Sequence, residues 1–367
     1  MNRRQFGLTL TSAFALSACA GGARLVSMED AREAGGTIVP ILVASSRNVE
    51  SDGRLGSKRG DGLVFGRFDV SVPPDRKAGS LPMPWLSTNP RQHFATVNNE
   101  IFASESTFIS QMRAQLLGKP AGRRNVVIFV HGYNTGYEDG LFRFAQFYND
   151  VGLDDVPVHY SWPSAQNILR YGYDRDSMLV ARDGFERTLR DAIEAGADRV
   201  LLVAHSMGSM LVMETLREIA ISHNTGARSR IGGVILVSPD IDIDLFRSQV
   251  RRIGKLPQPF VIFSSKQDRV LQFAAKEIYG NTRVGSLPME GELSDMDVSV
   301  VDVSDYSQGF YNHSTAITSP SFLKIVRNMR AFTSSFGQGL TEAMRSAPDS
   351  MMSVEDANHI RIGRVPI

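Results

Sequence analysis

The chain has 367 residues, 42% hydrophobic and 22% charged, with 40 basic and 39 acidic side chains for a formal net charge of +1. That is an ordinary globular balance, enough for one large core or two smaller ones. It argues against a nucleic-acid partner, because the basic pairs Arg123-Arg124 and Arg251-Arg252 are isolated rather than set in a stripe, and the single cysteine, Cys19, excludes an intramolecular disulfide.

Met1 to Arg4 is a positive segment, and Phe6 to Ala18 is an apolar one too short to span a bilayer. Leu16-Ser17-Ala18-Cys19 resembles the lipobox of bacterial lipoproteins. The resemblance implies cleavage before Cys19 and attachment of lipid, palmitate included, to a membrane-anchored product; the alternative is a chance cysteine in a cleaved signal peptide. Arg3-Arg4-Gln5-Phe6 resembles a weak twin-arginine export signal. Ala20 after the cysteine, by resemblance to Gram-negative lipoproteins, implies an outer-membrane location facing the periplasm. Removing residues 1–18 takes out two basic residues and no acidic one, so the net charge of +1 becomes −1. Acyl chains rather than charge would then hold the protein to a membrane.

Residues 19–36 read as a tether, and residues 37–335 as a single domain with an N-terminal portion (37–119) and a core (120–335). Strand-like runs fall at Thr37–Ala44 and Leu63–Val72, separated by the turn-rich Ser51–Gly56. Residues 73–90 carry five prolines and read as irregular surface chain. A helix follows, with Ser104 as N-cap, Phe108, Ile109, Met112 and Leu116 on one face, and Gly118 and Pro120 at its end. From Asn125 strands and helices alternate. Strands are predicted at Val126–Val130, Val156–Tyr160, Val200–Val203, Ile231–Val237, Phe260–Ser264 and Val298–Val303, and helices at Gly140–Val151, at Ser177–Ala195 and after Gly208. Such alternation implies an α/β fold whose mostly parallel sheet is covered by helices on both faces. Trp162 to Arg175 is long for a strand-to-helix link and rich in aromatics, which fits either a cap over a pocket or ordinary packing. Residues 336–367 show no clear period and read as a loosely held tail.

The chemistry concentrates in Arg199–Met210, "RVLLVAHSMGSM". A buried strand runs into an amphipathic helix, and Ala204-x-Ser206-x-Gly208 between them has nucleophile-elbow spacing. Small residues are needed there because strand and helix pass close together. The turn would push Ser206 Oγ outward and aim the first helix N–H groups at the same point.

An alcohol is a poor nucleophile at neutral pH, so it needs a base, and the base needs an orienting acid. In nucleophile-elbow folds the acid and then the histidine follow the serine. Three histidines do so. His223 ends the helix that begins at the elbow, and His359 lies in the tail. His313 comes ten residues after the last core strand, where a loop can fold back over Ser206. For the acid, Asp268 follows the next-to-last strand. Asp240 follows the strand before it, in an Asp240-Ile241-Asp242-Ile243-Asp244 run that otherwise resembles the start of a helix. Both remain candidates. Two oxyanion donors are expected: the N–H of Met207, and that of Tyr133 in the His131-Gly132-Tyr133-Asn134 loop. His131 precedes the serine and reads as a structural turn residue.

The His131-Gly132 turn, the Ala204–Gly208 elbow, Asp268 and His313 together resemble the α/β-hydrolase superfamily over residues 120–335. "VHGYN", "YSWPS" and "AHSMGS" are similar to a bacterial branch of esterase- or lipase-like proteins, often lipoproteins. The resemblance implies the α/β-hydrolase fold, acyl transfer through a Ser-His-Asp triad, and a small-molecule or lipid ester as substrate. Ala204 stands where that motif usually has glycine, and the His-Gly-Gly-Gly signature is missing, which leaves the Tyr133 assignment less anchored. No metal motif, phosphate loop or dinucleotide fingerprint is present, so no cofactor is expected. Two other readings remain. One is a non-catalytic envelope protein using the fold as a binding scaffold; the other is an acyltransferase or peptidase built on the same residues.

Overall fold

The computed structural model describes residues 31–84, 87–222, 225–268, 271, 282–287, 293, 295–304, 315–320, 323, 327 and 361–363. Its N-terminal third is a β-hairpin, β1 (Thr37–Val49) against β2 (Leu55–Val72), extended by β3 (Ala95–Ile101) antiparallel to β2. Then come α1 (Glu105–Leu117), β4 (Asn125–Val130), α2 (Tyr137–Val151), β5 (Val156–Ser161), α3 (Tyr171–Val180), α4 (Arg182–Glu194) and β6 (Arg199–His205). They are followed by α5 (Met207–Ile221), α6 (Thr225–Arg230), β7 (Ile231–Val237), α7 (Ile243–Ile253), β8 (Phe260–Ser264), β9 (Ser299–Asp302) and β10 (Arg361–Gly363).

The ten strands make one sheet in the order β10-β9-β8-β7-β6-β4-β5-β1-β2-β3. From β9 to β1 every pairing is parallel, and antiparallel strands close both edges. The chain steps from β4 to β5 in one direction, then returns past β4 to β6 and onward. With right-handed crossovers that reversal sends α2 to one face and the helices between β5 and β8 to the other. The core divides accordingly. Val126, Ile128 and Val130 of β4 join Phe185, Leu211 and Phe246 on one face, while Val127 and Phe129 join Phe144, Phe147 and Leu141 of α2 on the other. Both faces are dry, so the parallel strands are aliphatic throughout rather than alternating.

The sheet and its helical layers agree with the sequence-based expectation, and the differences have local causes. β1 and β2 run longer than predicted because they pair with each other well beyond the apolar core, closing through a tight turn in which Gly53 N–H donates to Glu50 O. β3 carries two asparagines and little apolar periodicity; it is a strand because β2 offers it an edge. The helix expected over 177–195 is two, α3 and α4, breaking at Ala181 (φ −77°, ψ −4°). There the buried Tyr160 hydroxyl donates to the Ala181 carbonyl at 2.7 Å, and such a side-chain intrusion into the helical ladder bends a helix. In the tail, Arg361–Gly363 adds an antiparallel strand to β9 rather than lying loose.

Candidate active site

Ser206 stands at the junction of β6 and α5 with φ 52° and ψ −123°. This is backbone territory suited to glycine. The structure holds it there from three sides: Ser206 N–H donates to Val237 O at 2.9 Å, and its carbonyl accepts from Ser209 N–H at 3.0 Å and from Asp240 N–H at 3.2 Å. Two glycines make room. A Cβ on Gly208 would lie 2.7 Å from Val130 O, and one on Gly132 would lie 2.8 Å from Ser206 Cβ and 2.9 Å from His205 Nδ1. The ends of β4 and β6 are therefore pressed together at Ser206, next to the strand-order reversal where open α/β sheets form their crevice.

The loop after β4 holds Tyr133, the residue expected to supply the second oxyanion donor. Asn134 has φ 52° and its N–H donates to Asp174 Oδ2 at 3.0 Å; Thr135 N–H donates to Ser164 Oγ at 3.0 Å. Met207 N–H, at the first position of α5, belongs to the turn whose donors have no helical acceptor. Tyr133 packs against Tyr171 (5.1 Å between ring centroids), and its hydroxyl donates to Ile168 O. Burial, then the negative charge of Asp174 and Asp240, pushes that hydroxyl up to about 12.

His131 is wholly enclosed. Its ring stacks on Trp162 at 4.9 Å, Trp162 Nε1 donates to its carbonyl at 2.8 Å, and Arg47 Nη2 lies 3.2 Å from its Nε2. Burial and the Arg47 charge hold its pKa well below the ordinary value, so the imidazole is neutral. Both ring nitrogens also lie beside carbonyl oxygens, Nδ1 2.9 Å from Gly132 O and Nε2 3.0 Å from Trp162 O.

The two acid candidates have different surroundings. Asp268 is buried in the loop after β8, where its N–H donates to Ser265 O at 3.1 Å and its Oδ1 accepts from Leu271 N–H at 3.0 Å. Asp240 faces a pocket beside the serine. Its Oδ2 accepts from Tyr171 Oη at 2.5 Å, and its Oδ1 lies 3.3 Å from Arg283 Nε. Asp242 is the N-cap of α7, accepting from Asp244 and Leu245 N–H groups. Asp240 adjoins the serine through its N–H on Ser206 O, Asp268 lies in the loop after β8, and His313, His223, His359 and Cys19 lie outside the described residues.

The pocket has a volume of about 260 Å³ and is lined, among the described residues, by Tyr171, Arg175, Met210, Asp240, Leu245 and Arg283, with Asp242 at its edge. Tyr171 and Arg175 come from the aromatic-rich segment after β5, which is both packing and wall. Its start is pinned, because Asp174 accepts from Ser164 Oγ (2.6 Å) and Ala165 N–H (2.7 Å), while Ile168 and Leu169 at its tip are 72% and 89% exposed. The sequence reading missed Arg47, Asp174 and Arg283. Each also acts on a partner 40 or more residues away, so no local motif marks it. Among the described residues no group of three or more His, Cys, Asp or Glu side chains could hold a metal ion.

No curated protein matches this sequence. Among solved structures, the chain is similar to lipase B of Aspergillus fumigatus, with 13% identity over 65% of this chain and 60% of that one and a TM-score of 0.38. It is similar to an esterase of Pyrobaculum calidifontis, with 13% identity over 62% and 92% of the two chains and a TM-score of 0.34. It is also similar to an esterase of Pyrococcus furiosus, with 10% identity over 86% and 98% and a TM-score of 0.36. The chain thus spans well under two thirds of the length of the Aspergillus lipase. Residues 105–330, more than half of the chain, match the family described as "Alpha/beta hydrolase of unknown function (DUF900)", and the protein belongs to that family.

Proposed function

We propose that the protein is a serine hydrolase that cleaves carboxylic esters. The observation that carries this reading is the backbone of Ser206, held at φ 52° between two glycines that tolerate no side chain. A strained, enforced turn presenting a hydroxyl at a helix N-terminus is the arrangement acyl transfer requires. In the proposed cycle His313 takes the Ser206 proton as Oγ attacks the ester carbonyl. The Met207 and Tyr133 N–H groups receive the oxyanion. Collapse of the tetrahedral adduct expels the alcohol, which takes the proton from His313. Water, deprotonated by His313, then releases the acid and restores the serine. Asp268 stabilises the imidazolium. Asp240 serves the cycle less well, since its carboxylate is already engaged by Tyr171 and Arg283.

At about 260 Å³ the pocket falls below the roughly 300–1,000 Å³ usual for drug-sized ligands, and it has charged walls. Taken as the acyl site, one helical turn along α5 from Ser206 at Met210, it suits short acyl or small polar groups better than long alkyl chains. The test is a p-nitrophenyl ester series on the soluble chain beginning after Cys19. Acetyl and butyryl esters should be cleaved faster than decanoyl, and Ser206→Ala should lower kcat by at least about 10^4-fold. Asp268→Asn should cost more than Asp240→Asn. Hydrolysis that survives Ser206→Ala intact would reject the assignment.

A further inference from the structure

Arg47 is one of the largest fully buried side chains of the protein, yet it is a cation. It lies near the end of β1, where the β1–β2 register shifts on either side of it. Such an irregularity re-aims a side chain, and here it turns the guanidinium inward toward the loops at the carboxyl ends of the parallel strands. Its partners come from three separate stretches of chain. Nε donates to Ser161 Oγ at 2.8 Å. Nη1 donates to Gly56 O at 3.0 Å and Ser164 O at 3.4 Å. Nη2 donates to Thr135 O at 2.9 Å and lies 3.2 Å from His131 Nε2. All of these partners are neutral. Burial lowers the guanidinium pKa to about 10, still charged at neutral pH, and the carboxylates Glu138, Asp174 and Asp139 act on it only through space.

A packing role does not account for this arrangement. A buried cation without a contacting carboxylate is costly, and an apolar residue of similar volume would fill the space at lower cost. What the guanidinium alone supplies is a rigid planar fork holding several acceptors at fixed angles. Two of those partners, His131 and Thr135, bracket Gly132-Tyr133-Asn134, the segment whose N–H at Tyr133 points to the oxyanion in the reading above. Thr135 N–H, donating to Ser164 Oγ, ties the same loop to the segment after β5, and Arg47 holds that segment as well through the Ser164 carbonyl.

Resting on the serine-hydrolase reading, we propose that Arg47 is a positioning residue for acyl transfer: by clamping both ends of the 131–135 loop it sets the Tyr133 N–H against the developing oxyanion. The β1–β2 hairpin, outside the 105–330 family match, is then a working part of the active site rather than an appendage.

The experiment compares wild type, Arg47→Lys and Arg47→Ala in the soluble chain beginning after Cys19, using the best p-nitrophenyl ester. A loop displaced by about an ångström can cost about 100-fold, and a lost oxyanion donor about 10²–10³-fold. Both variants should therefore lose about 10- to 100-fold in kcat with KM changed less than about 3-fold. Affinity for a trifluoromethyl ketone analogue, which presents the oxyanion, should fall by the same factor as kcat/KM. Millimolar guanidinium should restore part of the activity of Arg47→Ala and none of that of Arg47→Lys. Lysine preserves charge and most of the volume, so a folded Arg47→Lys enzyme, judged by near-UV circular dichroism, keeps the test decisive if alanine unfolds the chain. Unchanged kcat in folded Arg47→Lys, or a loss in KM alone, overturns the proposal while leaving the hydrolase reading intact. A wild-type protein that neither hydrolyses esters nor is labelled at Ser206 by a fluorophosphonate overturns both.

Discussion

At Ser206 one residue carries two opposed demands. Its hydroxyl must stand clear at the end of β6, and the φ of 52° that achieves this is costly for any residue with a Cβ. Strain of this kind amounts to roughly 1–3 kcal/mol and persists only where the surroundings impose it. The bonds to Val237 and Asp240 and the crowding at Gly132 and Gly208 are that imposition. Glycine at 206 would relieve the strain, offset in part by its greater freedom in the unfolded chain. Ser206→Gly should therefore be about 1–2 kcal/mol more stable than Ser206→Ala, which keeps the Cβ, while both are inactive. Thermal unfolding of the two variants side by side measures the difference. Equal midpoints would mean that the turn is unstrained.

Among the elements, the α1–α4 contact has a pH dependence of its own. Arg187 of α4 gives its short bonds to Glu105 at the start of α1 (2.5 and 2.9 Å) and only a longer one, 3.3 Å, to the buried Asp191 one turn along. Burial, then the nearby Glu105 charge, pushes the Asp191 carboxyl from 3.8 up to about 7. A raised acid pKa means that the folded state holds the proton more tightly than the unfolded one. The stabilisation is complete below pH 3.8 and is lost as pH rises through about 7. Asp191→Asn should remove that slope. At pH 8 it should raise the melting temperature by a few degrees, corresponding to about 1–2 kcal/mol, with little change at pH 4. Melting curves at the two pH values check it, and an equal shift at both would refute the linkage. The break at Ala181, just ahead of α4, is invisible in the 177–195 periodicity because its cause, the Tyr160 hydroxyl, belongs to β5.

For the whole molecule, the open matter is where it works. We propose that lipid on Cys19 tethers the domain to a membrane. No helix among the described residues is long and apolar enough to cross one, and a processed chain of net charge −1 has no electrostatic hold on anionic lipid. The full-length protein should fractionate with membranes and incorporate labelled palmitate. Cys19→Ala should abolish the label and release the protein to the soluble fraction; persistence in the membrane fraction would defeat the idea.

The amino-acid sequence by itself determined the layers of this protein. Aliphatic runs of strand length, amphipathic stretches between them and small residues around Ser206 depend only on neighbours along the chain, so periodicity and spacing expose them. The same local logic located the Gly132 turn, the Ser104 cap, which accepts from Thr107 N–H, and the start of α7 at Asp242. Tertiary structure alone decided the rest. It turned Arg47 inward, engaged Asp240 with Arg283 and Tyr171, made a strand of Ala95–Ile101 and bent the long helix at Ala181. Each of these is settled by a partner distant in the chain, 21 residues away at Ala181 and more than 40 at Asp240, or by an edge that exists only once the sheet has formed. Such contacts leave no period in the sequence, because what selects the residue is a geometry that exists only after folding.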